Sequence, residues 1–265
     1  MISKLIRTGI AGGAILALPL AAQAADLRAP SYKAPLYSAP VYSSWTGFYG
    51  GINGGYAFGS SSDVSLASTS SGFDPAFTAG AVPSSISLKS NGFMVGGQLG
   101  YNWQFWSSWV VGVEADIQYA SIKKDASVDI TGVPGFAAST TTVEHKMDWF
   151  GTARLRAGYV VWEPLLIYAT GGLAVGHVKD TAEIAFPSIV QDYTGSATAT
   201  KIGWTAGAGI EWAFLGRWTA KAEYLYYDLG KNTVDLAVVT GPANTASATF
   251  PAKGSIARAG VNYRF

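Results

Sequence analysis

The chain of 265 residues contains no cysteine. Disulfides, thiolate metal sites, cysteine nucleophiles and the lipidated cysteine of a bacterial lipoprotein are therefore excluded. Charge is also scarce, since only 13% of the residues are charged, whereas 49% are hydrophobic. A chain of this composition must place much apolar surface away from water.

Long apolar runs are missing too, except near the N-terminus. Lys4 and Arg7 precede an apolar run over residues 10–20. This pattern is typical of a secretory signal peptide, and the small residues that follow predict cleavage after Ala24, so that residues 1–24 form the signal. The run is shorter than the roughly 18 apolar residues that a membrane helix needs, and we predict no transmembrane helix. Cleavage leaves 16 of the 18 basic residues against 17 acidic ones, a balance that implies no nucleic-acid partner.

Alternating apolar and polar residues dominate the chain after the signal. Residues 25–44 form an exception, because they repeat Ala-Pro and Tyr without a hydrophobic period and favour an extended periplasmic arm. Residues 45–265 contain eight alternating stretches, each close to the roughly 9 to 11 residues of a tilted membrane strand. We therefore predict an all-β fold, an eight-stranded antiparallel transmembrane β-barrel. Its predicted strands cover about residues 46–58, 92–104, 109–121, 147–161, 165–177, 201–213, 217–229 and 254–265.

The connections between these strands alternate in length. Short hairpin turns are predicted at residues 104–108, 162–164 and 213–217. Such turns face the periplasm, and the long connections face the outside of the cell. We expect the long ones to be mobile loops that host factors, phage or antibodies could meet. These Ser/Thr/Ala-rich loops are predicted at residues 59–92, 120–148, 176–201 and 227–256.

Seven of the nine tryptophans lie beside the short turns or at the start of the first strand. Indole rings prefer the headgroup region, so these seven are predicted to form a girdle at the periplasmic membrane interface. Trp149 and Trp204 mark the opposite edge. The predicted girdle consists of Trp45, Trp103, Trp106, Trp109, Trp162, Trp212 and Trp218.

Nine mid-strand charges fall on the face opposite to the apolar one. In the last predicted strand, Ala257 and Val261 alternate with Arg258 and Arg264. A soluble barrel of lipocalin type would turn its apolar side chains inward, whereas this pattern turns charges inward and apolar side chains toward lipid. The predicted interior charges are Glu114, Asp116, Arg154, Arg156, Glu211, Lys221, Glu223, Arg258 and Arg264.

The interior charges leave two functions open. An eight-stranded barrel is just wide enough for its own side chains, and near-equal numbers of acids and bases favour a paired structural network. A narrow polar conduit for small solutes or ions is the alternative, and glycines on the inner face are expected to leave room for it. These glycines are Gly96, Gly100, Gly158, Gly172, Gly203, Gly207, Gly209 and Gly260.

The two histidines offer little for catalysis or for a cofactor. His145 and His177 are expected near the outer ends of neighbouring strands, offset by about four residues or roughly 13 Å, and are no obvious ligand pair. A bound haem would therefore use His177 or a loop tyrosine such as Tyr193. Neither histidine belongs to the His-X-Ser arrangement of a lipid A deacylase. We predict no enzyme activity, no catalytic or metal-binding residues and no resident cofactor.

Three segments carry a resemblance to a known family. Residues 44–56 read Ser-Trp-Thr-Gly-Phe-Tyr-Gly-Gly-Ile-Asn-Gly-Gly-Tyr, residues 218–230 read Trp-Thr-Ala-Lys-Ala-Glu-Tyr-Leu-Tyr-Tyr-Asp-Leu-Gly, and residues 259–265 read Ala-Gly-Val-Asn-Tyr-Arg-Phe. In this combination the chain resembles the porin-family immunogenic outer-membrane proteins of alphaproteobacteria. The terminal Phe265 is similar to the assembly signal that the barrel insertion machinery reads.

The resemblance covers the whole predicted barrel. It implies an eight-stranded surface antigen that contributes to the integrity of the outer membrane, with haem binding or pore activity in some members. We therefore expect an outer-membrane protein with a structural role and exposed antigenic loops, in contact with outer-membrane lipids and lipopolysaccharide. A narrow porin and a haem-binding surface receptor are the alternatives.

Overall fold

The computed structural model describes residues 44–59 and 62–265. The predicted signal, and all of the predicted arm except Ser44, lie outside the described residues. No helix in the described part of the chain is long and apolar enough to cross a membrane. The strands are β1 (Gly47–Gly59), β2 (Ser62–Ser68), β3 (Ser85–Leu88), β4 (Asn91–Phe105), β5 (Trp109–Ile130), β6 (Ser139–Trp162), β7 (Leu165–Phe186), β8 (Gln191–Leu215), β9 (Trp218–Thr240) and β10 (Ala246–Arg264). A short helix, α1 (Asp74–Thr78), and one 3₁₀ turn (Pro187–Ile189) complete the secondary structure of these ranges.

Eight of these strands form an antiparallel barrel in the order β1-β4-β5-β6-β7-β8-β9-β10. β1 pairs on one side with β4 and on the other with β10, where Gly51 lies opposite Asn262. This pairing closes the ring. The tight turns β4–β5, β6–β7 and β8–β9 all lie at one end, as the sequence predicts. The predicted fold class is confirmed.

The two faces of the barrel wall follow the period of two that a strand imposes on its side chains. On β5, Val113 and Ile117 point outward and are exposed, whereas Glu114 and Asp116 point inward and are buried. The same division holds along the other barrel strands. The outer surface is therefore apolar over the height of a membrane, which is the arrangement that lipid requires.

The strands continue far beyond the predicted membrane segments. The sequence prediction of irregular loops was wrong for residues 120–148, 176–201 and 227–256, because most of these residues extend β5 to β10. The physical reason is that their Thr, Val and Ala residues still alternate between two faces, and β-branched residues suit a pleated wall. These long connections, which we call excursions, are as long as predicted, but only a small part of each is a loop.

The first excursion, between β1 and β4, folds back over the open end of the barrel. Its strand β2 pairs with β10 and with β3. Beyond the membrane-spanning part of the barrel, β2 and β3 thus complete the wall in place of β1 and β4. The other six strands, β5 to β10, run through both parts. Val64, Leu66 and Phe73 of this excursion pack against inward residues of the shared strands in one apolar cluster. We call this cluster the outer plug; its members on the shared strands include Val143, Ala182, Ile184, Tyr193, Val234, Leu236 and Phe250.

The barrel interior as the candidate functional site

Arg154 occupies the centre of a buried charge network inside the barrel. Its guanidinium group binds Glu114, Asp116 at 3.1 Å and Glu223 at 2.8 Å. Its Nε also donates to Thr152 Oγ1 at 2.9 Å, and that hydroxyl donates to Asp116 Oδ2 at 2.7 Å. One guanidinium group therefore joins three carboxylates that come from two strands on opposite parts of the wall.

Arg156 organises a second part of the network, one layer closer to the short turns. Its Nη2 binds Glu211 Oε2 at 2.7 Å, and its Nη1 donates to the hydroxyl of Tyr49 at 2.9 Å. The guanidinium carbon lies 4.0 Å from the ring centroid of Tyr168. Tyr49 in turn donates to Glu114 at 2.7 Å. This phenol connects the two halves of the network across the barrel.

Lys221 and Arg258 complete the balance of charge. Lys221 Nζ lies 2.8 Å from both carboxylate oxygens of Glu114. Arg258 binds Asp116 at 3.0 Å and Glu223 at 2.6 Å. The network thus holds four acids and four bases, whose side chains are at most 2% exposed. Charges so far from water are stable only when they are paired and hydrogen-bonded, and each of these eight has an oppositely charged partner.

Arg264 is the ninth predicted interior charge. Its guanidinium group donates to the carbonyl of Gly216 at 3.0 Å at the short-turn end of the barrel. It also lies over the ring of Trp45, 5.1 Å from the centroid. Trp45 itself is only 4% exposed and packs with Val110 and Leu166. Arg264 and Trp45 together cover the lumen at the short-turn end.

The position of Trp45 corrects the predicted girdle. This residue precedes β1, so the strand alternation does not fix its face, and its backbone N–H donates to Gln104 Oε1 at 2.7 Å as the chain crosses the barrel end. The structure places the other six outward, with exposed fractions between 43% and 84%. They are Trp103, Trp106, Trp109, Trp162, Trp212 and Trp218. Phe265 also lies outward at this end, 70% exposed.

The inner-face glycines do not leave the room that the sequence suggests. A Cβ added at any of the eight would approach a neighbouring atom to within 3 Å. At Gly100 that neighbour is the ring of Tyr49, and at Gly209 it is the hydroxyl of Tyr168. The expectation of free space was wrong because large side chains from facing positions and the adjacent strand backbone already occupy it.

Apolar side chains close the lumen between the charge network and the outer plug. Phe150, Met147, Leu225 and Ile256 belong to this layer and are at most 1% exposed. Starting from the short-turn end, the described interior is thus an apolar layer beside Trp45, the charge network, a second apolar layer and the outer plug.

The two histidines point in opposite directions. His145 is buried in the lumen, where its Nδ1 lies 2.5 Å from Asp180 Oδ1, and Asn232 donates to the other Asp180 oxygen at 2.7 Å. His177 lies on the outer wall, hydrogen-bonded to Thr200 and stacked on Trp149. The predicted loop over residues 120–148 was wrong at His145, since the segment around it belongs to β6.

The geometry also limits a haem or metal site. Tyr193, the loop tyrosine considered from the sequence, is fully buried in the outer plug. The described residues contain no cluster of three His, Asp or Glu side chains that could hold a metal ion. The two haem ligands considered from the sequence therefore lie on opposite faces of the wall, since His177 is on the outer face and Tyr193 is inside.

A closed β-barrel with an apolar outer wall, a charged interior and tight turns at one end defines an outer-membrane barrel protein. The family model described as outer membrane protein beta-barrel domain matches residues 13–265. The chain belongs to this family and resides in the outer membrane.

Relatives agree with this assignment. The chain is 39% identical over 225 residues to the 31 kDa outer-membrane immunogenic protein of Brucella melitensis biotype 1, covering 84% of each chain. It is 36% identical over 143 residues to the 22 kDa outer membrane protein of Rhizobium leguminosarum bv. viciae, covering 53% of this chain and 56% of that one. The crystal structure of the outer membrane protein OprG from Pseudomonas aeruginosa has 10% identity and a TM-score of 0.46, covering 83% of this chain and 96% of that one. The resemblance to alphaproteobacterial immunogenic proteins seen in the sequence is confirmed.

Proposed function

We propose that this protein is a closed structural barrel that reinforces the outer membrane and does not pass solutes. The observation that carries the proposal is the filled interior. Eight paired charges with side chains at most 2% exposed lie between two apolar layers, and opening a path would break several buried ion pairs at once. Breaking such a pair costs roughly 3 to 5 kcal/mol, so a spontaneous water-filled path is disfavoured.

The same filling argues against the narrow porin as the main role. A conduit lined by charges needs side chains that water can reach, whereas each charged group of this network is buried and paired with an opposite charge. A catalytic role finds no support either. Only His145 of the two histidines has a carboxylate partner, and that pair is buried in the lumen.

Single-channel conductance of the refolded mature chain, residues 25–265, tests the proposal directly. The barrel is inserted into a planar bilayer beside a denatured control, and protease protection verifies insertion. We expect no conductance steps across many verified insertions. Reproducible steps that depend on the folded protein would overturn the closed barrel and make the network residues candidates for ion selectivity.

We further propose that the outer end is an antigenic surface, as the names of the Brucella relatives state for those proteins. The connections at residues 131–138 and 241–245 lie at the tips of long hairpins and are largely exposed. An epitope tag inserted at residues 131–138 should be labelled on intact cells, whereas one inserted at residues 216–217, in a short turn, should be labelled only after the membrane is permeabilised. The reverse pattern would refute this orientation of the surface.

A further inference from the structure

Three lysines form a row across neighbouring strands on the outer wall. Lys123 of β5 lies opposite Lys146 of β6, and Lys146 lies opposite Lys179 of β7. Directly opposed side chains stand roughly 5 Å apart at Cβ, where like charges destabilise a sheet. All three side chains point outward, away from the lumen. A surface that served only to be solvated would gain by mixing the signs.

The row lies immediately above the membrane edge. In the next outward-facing row toward the membrane, Tyr119 is opposite Trp149, and Trp149 is opposite His177. Tyr119 is 65% exposed, and the rings of Trp149 and His177 stack at 6.2 Å with an angle of 4°. Exposed aromatic rings of this kind mark the headgroup level of the bilayer. The lysines therefore stand at the height of the outer-leaflet headgroups.

Three acids adjoin this row on the outer wall, because Asp125 lies opposite Glu144 in the next row and Asp148 follows Lys146 by two residues. Glu144 lies 3.3 Å from Lys123, and Asp148 lies 2.7 Å from Lys146. The hydrogen bond that Lys146 donates to Asp148 raises the pKa of Lys146, so this lysine stays protonated. In the described part of the chain Lys179 makes no ion pair, and its opposed neighbours are Lys146 and Thr198.

The other side of the barrel shows what an ordinary pairing looks like at the same height. There Lys253 of β10 lies opposite Asp228 of β9, and Asp228 lies opposite the outer tryptophan Trp204. Opposite signs face each other at this position, as sheet stability favours. The like-charged row is therefore a local feature of β5, β6 and β7 and not a general property of the rim.

Beneath the lysine row, the outward side chain of β6 at Ala153 is small. Ala153 is opposite Leu173 of β7 and Ala115 of β5. Leu173 and Ile117 stand on either side and are 63% and 64% exposed. An apolar hollow of about 920 Å³ includes Ala153, Ala115 and Leu173 in its lining and extends toward the short turns as far as Phe48 and Phe265. It can accept an acyl chain from a lipid whose headgroup reaches the lysines.

We propose that Lys123, Lys146 and Lys179 bind the anionic headgroup of an outer-leaflet glycolipid, the lipopolysaccharide that surrounds the barrel. Phosphate or carboxylate groups of the headgroup lie between the lysines, the Tyr119–Trp149–His177 row lies at the boundary between sugar and acyl chains, and the hollow on β6 accepts a chain. The site is independent of whether the lumen conducts, so conductance and lipid binding can fail separately.

The test compares charge-matched variants of the refolded mature chain in detergent. Labelled lipopolysaccharide is titrated against the parent, the triple variant Lys123→Gln, Lys146→Gln, Lys179→Gln, and the control Lys89→Gln, Lys231→Gln, Lys253→Gln. Because lysines near an anionic headgroup attract it, we expect binding by the first variant to weaken at least about tenfold, with the control close to the parent. Heat-dependent gel mobility verifies that all three proteins are folded.

Two competition arms identify the ligand. Inorganic phosphate alone should compete poorly with intact lipopolysaccharide, because it lacks the groups that reach the aromatic row and the hollow. Equal competition at equal phosphate concentration would overturn the glycolipid in favour of a free-anion site. Equal affinity of parent and triple variant, or an equal loss in the control, would show that the lysine row is only a solvated surface.

Discussion

The ring of Tyr49 fills the space above Gly100, its direct cross-strand partner. A Cβ at Gly100 would lie 2.3 Å from the Tyr49 hydroxyl oxygen. In this position the phenol reaches Glu114 at 2.7 Å and accepts from Arg156 at 2.9 Å. The glycine therefore seats an aromatic ring that links the two halves of the charge network.

Replacing this glycine by alanine should destabilise the barrel. The methyl group of Gly100→Ala would collide with the Tyr49 ring, and overpacking of this kind costs roughly 1 to 3 kcal/mol. The control is Gly97→Ala on the outer face, where the nearest atom to a Cβ is the Gly51 carbonyl oxygen at 3.7 Å. Urea unfolding in lipid vesicles, followed by tryptophan fluorescence, measures both. A similar loss in the two variants would contradict the seating of Tyr49.

Loss of one member of the charge network should be costly. Arg156→Leu leaves Glu211 without its closest cation, and Glu223→Leu leaves Arg154 and Arg258 each short of one carboxylate. Removing one partner of a buried pair costs roughly 3 to 5 kcal/mol. The matched control Arg217→Leu lies exposed in a short turn and should change the free energy of unfolding by less than about 0.5 kcal/mol. Unchanged stability in both network variants would mean that water solvates the interior.

The two histidines should differ sharply in their effect on stability. His145→Ala leaves the fully buried Asp180 without its imidazole partner, and an unsatisfied buried polar group costs about 1 to 3 kcal/mol. His177→Ala removes an outer ring and a contact to Thr200, so its effect should be smaller. Urea unfolding measures the free energy of unfolding of both variants. Equal losses would show that the buried His145–Asp180 pair does not stabilise the barrel more than the outer ring does.

Haemin titration of the double variant His145→Ala, His177→Ala complements the stability measurement. Because the two side chains lie on opposite faces of the wall, we expect the absorbance of added haemin to be the same with the parent and with the variant. A haem band that only the parent produces would contradict this expectation and restore a ligand role for a histidine.

The sequence predicts the faces of the strands well because alternation is local. A residue such as Glu114 has a face as soon as its strand is recognised, and its burial follows. Its partners do not follow, since Lys221 is 107 residues away and meets it only through the curvature and register of the closed barrel. Trp45 lies outside the alternating stretch, so its inward position has no signature in the pattern.

The outer half of the molecule was harder to predict for a related reason. Residues 120–148 alternate weakly between small and β-branched residues, a pattern that reads equally as a polar loop. What makes them a wall is the outer plug, because Val143 becomes a core position only when Val64 and Leu66 fold over it. Such packing between segments far apart in sequence leaves no trace in either segment alone.

The outer plug and the charge network can be separated by deletion. β1 and β4 are already neighbours, with Phe58 opposite Asn91, so a short Gly-Ser linker can replace residues 62–88 without breaking the membrane-level ring. The deletion removes Val64, Leu66 and Phe73 from the outer plug. Buried apolar residues contribute roughly 1.5 to 3 kcal/mol each, so the shortened barrel should unfold at clearly lower urea concentration.

Conductance of the shortened barrel should nevertheless remain absent. The charge network and the layer around Phe150 lie below the deleted segment and keep their own partners. Steps that appear only in the deletion variant would show that the first excursion is what closes the lumen. Conductance steps that require both the deletion and Arg154→Leu would show that the charge network blocks ion passage. Loss of the Arg154 guanidinium leaves Glu114, Asp116 and Glu223 without their shared partner, and unpaired buried carboxylates draw water into the lumen.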